Sequence, residues 1–181
     1  STSDIISIQK QLMDMTGASA YSSAELISNI GRLATDEGVR AGNLIADIAS
    51  NMATFAEFST MGAQGLAEAA VQAAKVGSSL ANVNAFAEKL IDFETSITAE
   101  FEAQVLTGKN LNLERARELA LQGKMGELSQ ELQAQVGGLG EIQSMNVIEK
   151  RAISAAIGVS VADLQKISRG EAIEQKKTQE D

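Results

Sequence analysis

Carboxylates are the side chains in this sequence with the most potential for chemistry. Five of them fall between residues 85 and 108, at Glu88, Asp92, Glu94, Glu100 and Glu102. Glu88 and Asp92 stand one helical turn apart, and paired carboxylates serve in glycosidic acid/base catalysis or in Ca²⁺ binding. The sequence has no His to complete an E-x-x-H site and no D-x-D-x-D-G loop. We therefore interpret the five acids as a solvated face, and keep a carboxylate enzyme based on Glu88 and Asp92 as a less favoured hypothesis.

Other catalytic chemistry finds no support in the composition. Without Cys or His, the chain has no thiol nucleophile, no thiolate metal site and no imidazole base. The glycines at 137, 138 and 140 lack the G-K-[ST] ending of a phosphate loop. We expect no enzyme, no cofactor, no metal and no small-molecule substrate.

A second group of residues raises the question of DNA binding. Two predicted helices, at 146–157 and 160–168, are joined by G-V-S-x-x-x-L at 158–164, which is typical of a helix-turn-helix. The Ala usual four residues before the Gly is Ser154 here, and the second helix offers only Lys166 and Arg169 beside Asp163. The chain also carries a net charge of −9, which disfavours phosphate binding. We favour a tight helical corner, with DNA contact through Lys166 and Arg169 as the alternative.

The elements that position these residues are all predicted to be helices. The chain has no Pro, and its aromatic content of 3% predicts a narrow, aliphatic core. We predict an all-α fold in three parts: an Ala/Gly-rich helical segment (1–84), a compact helical domain led by a long helix (85–170) and a charged flexible tail (171–181). The segment at 65–77 is interpreted as a weakly packed helix, with a membrane-active or oligomerising helix of small residues as the alternative.

Local signals place the starts and stops of the shorter helices. Capping residues predict starts at Ser22, Asn112, Asn146 and Ser160, and glycines predict stops at 108, 123 and 158. Within the helix after Asn112, we expect surface ion pairs three residues apart, between Glu114 and Arg117 and between Arg115 and Glu118.

A single long helix over 85–108 is predicted to organise the domain. Large apolar residues recur there at steps of four, three, four, four and four, as on one helical face: Phe86, Leu90, Phe93, Ile97, Phe101 and Val105. We expect this face to pack against the rest of the chain or against a neighbouring copy. Phe93→Asp should then disrupt the domain or its assembly.

From this helix onward the sequence resembles a segment of the tail tape measure proteins of tailed bacteriophages. The resemblance lies in DFETSI at 92–97, GK-x-LNLERAR-x-LAL at 108–121, MNVI-x-x-x-A from Met145, and the later G-V-S-x-x-x-L. It covers about residues 85 to 167, and the earlier helices resemble the family only in their Ala/Gly-rich composition.

The resemblance implies a structural role in the virion. Tape measure proteins occupy the tail tube in several copies, set tail length during assembly, contact the tail tip or baseplate, and leave before the DNA. It thus implies a homo-oligomer with tail tube and tail tip partners, no specifically bound nucleic acid, and transient contact with the host membrane during ejection. As one helix the whole chain would span at most about 270 Å. Since it also begins without Met, we expect a folded, terminal part of a longer protein.

Overall fold

The computed structural model describes residues 2–16, 20–58, 62–75 and 78–169. Within these ranges every regular element is helical, which confirms the all-α prediction. The α-helices are α1 (Thr2–Thr16), α2 (Ala20–Asp36), α3 (Ala41–Phe58), α4 (Gly62–Lys75), α5 (Leu80–Ile91), α6 (Phe93–Thr107), α7 (Glu114–Gln122), α8 (Met125–Gly137), α9 (Val147–Ile157) and α10 (Val161–Ser168), with a short 3₁₀ helix at Ile142–Ser144. The predicted tail at 171–181 lies outside the described residues.

Most of the helix ends lie at the positions predicted from the capping residues and glycines. The Asn146 side chain accepts a hydrogen bond from the Glu149 N–H at 2.8 Å, and the Ser160 hydroxyl accepts one from the Asp163 N–H at 3.2 Å. Gly108, Gly123 and Gly158 end their helices with positive φ, as left-handed stops require.

Two predicted starts need correction. The helix predicted from Asn112 begins at Glu114, whose N–H donates to Asn112 Oδ1 at 3.1 Å, so Asn112 supports the helix from one residue further out. The predicted start at Ser22 is wrong, because α2 already begins at Ala20. The Ser22 side chain itself is outside the described part of the chain.

One hydrophobic core extends from Ile8 on α1 to Ile167 on α10. Helices from both sides of residue 84 contribute to it, since α4 packs on α8 and α3 packs on α5. The predicted division into domains at residue 84 is not tested by this packing and stays a prediction.

The Ala-rich helix α4 is a well-buried core element. Its side chains at Ala67, Ala69, Ala70, Val71 and Ala73 are all buried. Small side chains let backbones approach closely, and α4 lies against both α3 and α8. The interpretation of this segment as weakly packed was therefore wrong. Among the described residues, no helix combines the length and hydropathy needed to cross a bilayer.

The predicted long helix at 85–108 is two helices that meet at Asp92. Asp92 leaves helical geometry with φ −83° and ψ 79°, and its side chain accepts a hydrogen bond from the Thr95 hydroxyl at 2.5 Å. The prediction of one continuous helix was wrong. The break changes the packing direction, so that α5 lies in the core while α6 leaves it to pack chiefly on α9.

Candidate functional site

The predicted apolar face is divided by the break at Asp92. Phe86 and Leu90, on α5, are fully buried in the core as predicted. The four residues on α6 point to solvent instead, with exposed fractions of 44% for Phe93, 54% for Ile97, 65% for Phe101 and 66% for Val105. We call these four residues the α6 stripe. Packing within the chain therefore holds for Phe86 and Leu90, and packing of the α6 stripe against a neighbouring copy stays a prediction.

Small side chains on the opposite side of α6 explain why the stripe is outside. The buried residues of α6 are Ser96, Ala99 and Ala103, and this face meets α9. Only small side chains fit between two closely approaching helices, so the large ones are left on the outer face. Gly158, which ends α9, lies against Ala85 and Lys89 just before α6.

A buried polar cluster fixes α6 to α7 and to the loop before it. Arg117 donates to Glu100 and, at 3.1 Å, to the Ser96 hydroxyl. The other Glu100 oxygen accepts the Leu113 N–H at 2.8 Å, and Gln104 donates to the Leu111 carbonyl. The side chains of Arg117 and Glu100 are only 12% and 13% exposed. We call this cluster the Glu100–Arg117 latch, and it holds the α6 stripe on a fixed scaffold.

The latch corrects two predictions made from spacing. Glu100 does not belong to a solvated acidic face, because it is the buried partner of Arg117. The predicted surface pairs are also replaced by partners from other helices, since Arg117 pairs with Glu100 rather than Glu114 and Arg115 lies 3.7 Å from Glu131.

The remaining acids of 85–108 show no catalytic arrangement. Glu88, Asp92, Glu94 and Glu102 are exposed, and Asp92 is used by Thr95 at the start of α6. In the part of the chain that the structure describes, no three His, Cys, Asp or Glu side chains are grouped to hold a metal ion. The geometry adds nothing to the hypothesis of an enzyme based on Glu88 and Asp92.

A tight turn at Gly158 joins α9 to α10. Gly158 occupies the turn at φ 81°, and the Ser154 hydroxyl bridges the turn by donating to the Val159 carbonyl at 2.7 Å. Side chains that face between and beneath the two helices are buried: Ile153, Ile157, Val159, Leu164 and Ile167. Lys166 and Arg169 are exposed at the end of α10, where Arg169 Nε donates to the Gln165 carbonyl at 3.1 Å.

A residue that the sequence reasoning missed is Asp47 on α3. Its carboxylate accepts the Leu80 N–H at 2.8 Å, which satisfies a free donor in the first turn of α5, and accepts the Asn51 side-chain amide at 3.0 Å. Burial raises the pKa of Asp47, and the two hydrogen bonds oppose that rise. An acid next to the core residues Leu44 and Ile48 was the only sequence signal, and its partner lies 33 positions away.

A surface cleft of roughly 230 Å³ opens between α2, α4 and α8. Its charged lining has both signs, since Glu37, Glu68 and Glu127 line it together with Lys124. Glu37 is already paired with Lys75 at 2.7 Å. We interpret this cleft as the seam between three helices.

The sequence was compared with models of protein families, with curated proteins and with solved structures, and none of the three comparisons gave a match.

Proposed function

We propose that this chain is a structural segment of a tailed-phage tail tape measure protein. In this role it lies in the tail tube or at the tail tip, takes part in tail assembly and the setting of tail length, and is released when the DNA is ejected. The single observation that carries the proposal is the α6 stripe, an apolar surface displayed on a rigid support.

The display of the stripe argues for an assembly role. Phe101 and Val105 are about two-thirds exposed, although the same helix buries alanines. Single exposed apolar residues are ordinary, but a contiguous row of large ones on one helix marks a site of interaction. The latch and the α6–α9 contact would hold this row in place before any partner arrives.

The segments that resemble tape measure proteins contain the residues that set this fold. DFETSI supplies the Asp92 break and the buried Ser96, and the segment from Gly108 supplies Arg117 of the latch. MNVI supplies the Asn146 cap, and G-V-S supplies the Gly158 turn. The shared sequence motifs therefore determine helix ends and packing rather than a chemical site, which fits a structural protein.

The dimensions favour docking over measuring length. At 1.5 Å per residue α6 is about 22 Å long, and the longest described helix, α3 with 18 residues, is about 27 Å long. A helical unit that exposes the α6 stripe suits attachment to the tube or the tip, while tail length would be set by other parts of the protein.

Imaging of the source particle tests this proposal. Cryo-electron microscopy combined with cross-linking mass spectrometry should find this chain in the tail, with cross-links from Lys89 or Lys109, which flank α6 in the sequence, to tube or tip proteins. Deletion of its coding sequence should yield particles without tails or with tails of abnormal length. Its absence from purified tails, together with normal tails after deletion, would refute the proposal.

A DNA-binding regulator is the second candidate, and one observation favours it. Gly158 lies in the turn between α9 and α10 with buried apolar side chains around it, which a helix-turn-helix also requires, and residues 146–169 carry four basic and only two acidic side chains in an otherwise acidic protein. This function predicts retention on duplex DNA that falls steeply with salt and is lost when Lys166 and Arg169 are both changed to Ala. If the wild-type chain is not retained at low salt, the candidate fails.

A further inference from the structure

The contacts between α6 and α7 extend the apolar surface of α6 onto a second helix. Three hydrogen bonds join the two segments, from Gln104 to Leu111, from Leu113 to Glu100 and from Arg117 to Ser96. The partners on α6 come earlier in the sequence as those on the side of α7 come later. Leu121 stands one turn after Arg117 and is 68% exposed, so it lies towards the same end of α6 as Phe93. We call the α6 stripe together with Leu121 the apolar strip.

Glutamates lie along both long sides of the apolar strip. On α6, the residues that contact α7 come one position before members of the stripe, whereas the exposed Glu94 and Glu102 come one position after, on the far side. On α7, the exposed Glu114 and Glu118 share a helical face with Leu121. Within the part of the chain that the structure describes, none of these four glutamates is in an ion pair.

The basic side chains of α7 do not balance this charge. The Arg117 side chain is only 12% exposed and is held in the latch by Glu100, and Arg115 lies 3.7 Å from Glu131. The strip is therefore a row of large apolar side chains in negatively charged surroundings. A complementary partner has apolar side chains that meet the row and cations beside them.

We infer that the apolar strip binds a helical segment of another protein whose apolar row is flanked on both sides by Lys or Arg. The inference rests on the proposed assembly role and gives the chemistry of the partner at that same surface. Such a helix lays its apolar row along the α6 stripe and places its cations beside the unpaired glutamates. About 14–18 residues of helix cover the stripe, because Phe93 to Val105 spans about 18 Å.

The apolar strip is large enough to bind such a helix. If a large apolar side chain presents about 150–200 Å² when fully exposed, the five residues of the strip present roughly 450–600 Å² of apolar surface. A standard interface buries about 800 Å² per partner, of which somewhat more than half is apolar. The strip therefore supplies the apolar centre of an interface of ordinary size.

Charge distinguishes this partner from two other occupants of the strip. A second copy that used the same surface would place glutamates opposite glutamates, which is unfavourable. An anionic membrane surface would be repelled by the same glutamates. A cationic helix is attracted instead, so electrostatics favour it over both.

A peptide of defined sequence pattern tests the inference on the full chain. The probe is a labelled peptide of about 18 residues with Leu along one helical face and Lys on both flanks, followed by fluorescence anisotropy. We expect a dissociation constant of about 1–10 µM at about 50 mM salt, and several-fold weaker binding at about 500 mM salt because the charges are screened. A peptide with Glu in place of Lys, and one of the same composition without the Leu row, should each bind at least about tenfold more weakly.

A substitution in the middle of the strip tests where the peptide binds. Phe101→Asp should raise the dissociation constant of the Lys peptide at least about thirtyfold, as loss of a buried aromatic anchor does. Ile6→Asp is the matched control, because Ile6 is 61% exposed, like Phe101 at 65%, but lies on α1, which packs on α2, α3 and α4. The control should change the dissociation constant less than about twofold, and circular dichroism should show both variants folded because both residues are at the surface.

A charge reversal tests the role of the glutamates. Glu102→Lys combined with Glu118→Lys should weaken binding of the Lys peptide at least about tenfold and strengthen binding of the Glu peptide by a similar factor. Glu25→Lys combined with Glu68→Lys changes the net charge equally at exposed positions on α2 and α4. This control should alter either dissociation constant less than about threefold, since distant surface charges are screened.

Four results would overturn the inference. Two concern the peptides: a Lys peptide that binds no more tightly than the Glu peptide, and equal dissociation constants for Phe101→Asp and Ile6→Asp. The third is a wild-type dimer in sedimentation velocity that Phe101→Asp dissociates, which would assign the strip to a second copy. The fourth is binding to phosphatidylglycerol vesicles that Phe101→Asp abolishes, which would assign it to a membrane.

These outcomes are separate from those that decide the proposed function. The proposed function fails only on the content and assembly of the tails, which the peptide experiments do not measure. A chain that is found in the tail but does not discriminate between the Lys and Glu peptides would keep the proposed function and reject the cationic partner.

Discussion

The Glu100–Arg117 latch leads to the sharpest prediction about stability. Arg117→Ala removes the cation that pairs with Glu100 and the donor to Ser96, while the Glu100 carboxylate stays in a site where only 13% of its side chain is exposed. Breaking a buried pair from one side costs about 3–5 kcal/mol, because the remaining charge is left without its partner. The Leu113 N–H still donates to Glu100 at 2.8 Å, which offsets part of this cost. We therefore expect a loss of about 3 kcal/mol.

Urea unfolding followed by circular dichroism measures this loss. Arg115→Ala is the matched control on the same helix, since Arg115 is 71% exposed and lies 3.7 Å from Glu131. That change should cost less than about 0.5 kcal/mol. The double variant Glu100→Gln with Arg117→Ala should be more stable than Arg117→Ala alone, because the Gln side-chain oxygen still accepts the Leu113 N–H and no unpaired buried charge remains.

The reasoning about the latch would be refuted by either of two results. One is a free energy of unfolding for Arg117→Ala within about 1 kcal/mol of that for Arg115→Ala, which would mean that the pair is not desolvated as the structure has it. The other is a Glu100→Gln, Arg117→Ala double variant less stable than Arg117→Ala, since the cost would then come from lost attraction and not from an uncompensated charge.

Three further changes probe the corners and clamps of the fold. Gly158→Ala should lower the free energy of unfolding by more than about 2 kcal/mol, because φ is 81° and the new Cβ would lie 2.8 Å from Lys89 Cβ. Gly108→Ala is the control: its φ is 65°, but the new Cβ would meet open space, so the cost should be only about 1–2 kcal/mol. Equal melting temperatures for the two variants would contradict this. Asp47→Asn keeps an oxygen that can accept the Leu80 N–H of α5 but removes the ionisable carboxyl group. Because the pKa of Asp47 is raised in the folded state, its contribution is fully present below the unfolded pKa and is lost as pH rises through the folded pKa. Urea titrations between about pH 4 and pH 7 should therefore show the free energy of unfolding of the variant rising relative to that of the wild type as pH rises. A difference between the two free energies that does not change with pH would refute this. Asn146→Ala should cost about 1 kcal/mol through loss of the cap, and an unchanged urea midpoint would contradict that.

Helix corners could be predicted from the sequence because their chemistry is local. An Asn or Ser cap needs only the N–H three residues on, as at Asn146 and Ser160. A glycine stop needs only its own freedom to adopt positive φ, as at Gly158. These signals are complete within four residues, so no knowledge of the tertiary structure is required.

The polar contacts were missed because their partners are far apart in sequence. Arg117 and Glu100 are separated by 17 positions, and Asp47 and Leu80 by 33. Spacing rules favoured Glu114 as the partner of Arg117, and that pair would have been worth only a few tenths of a kcal/mol. A buried carboxylate is a stronger partner than an exposed one, and the approach of α6 to α7, which buries Glu100, cannot be deduced from either segment alone.

The apolar face of 85–108 is covered by its own chain only on α5, for a different physical reason. Periodicity identifies which residues share a helical face, but it does not say whether that face is covered by the same chain. On α5 the large residues are buried, whereas on α6 a second periodic row of small residues, Ser96, Ala99 and Ala103, meets α9 instead. The sequence contained this row, and small residues on one helical face favour close approach of two helices. When a helix carries a row of small residues and a row of large ones, the small row can pack against a helix of the same chain, and the large row is left for a partner. The expectation for Phe93→Asp changes accordingly: because Phe93 is 44% exposed, the fold should survive the substitution and only assembly should suffer.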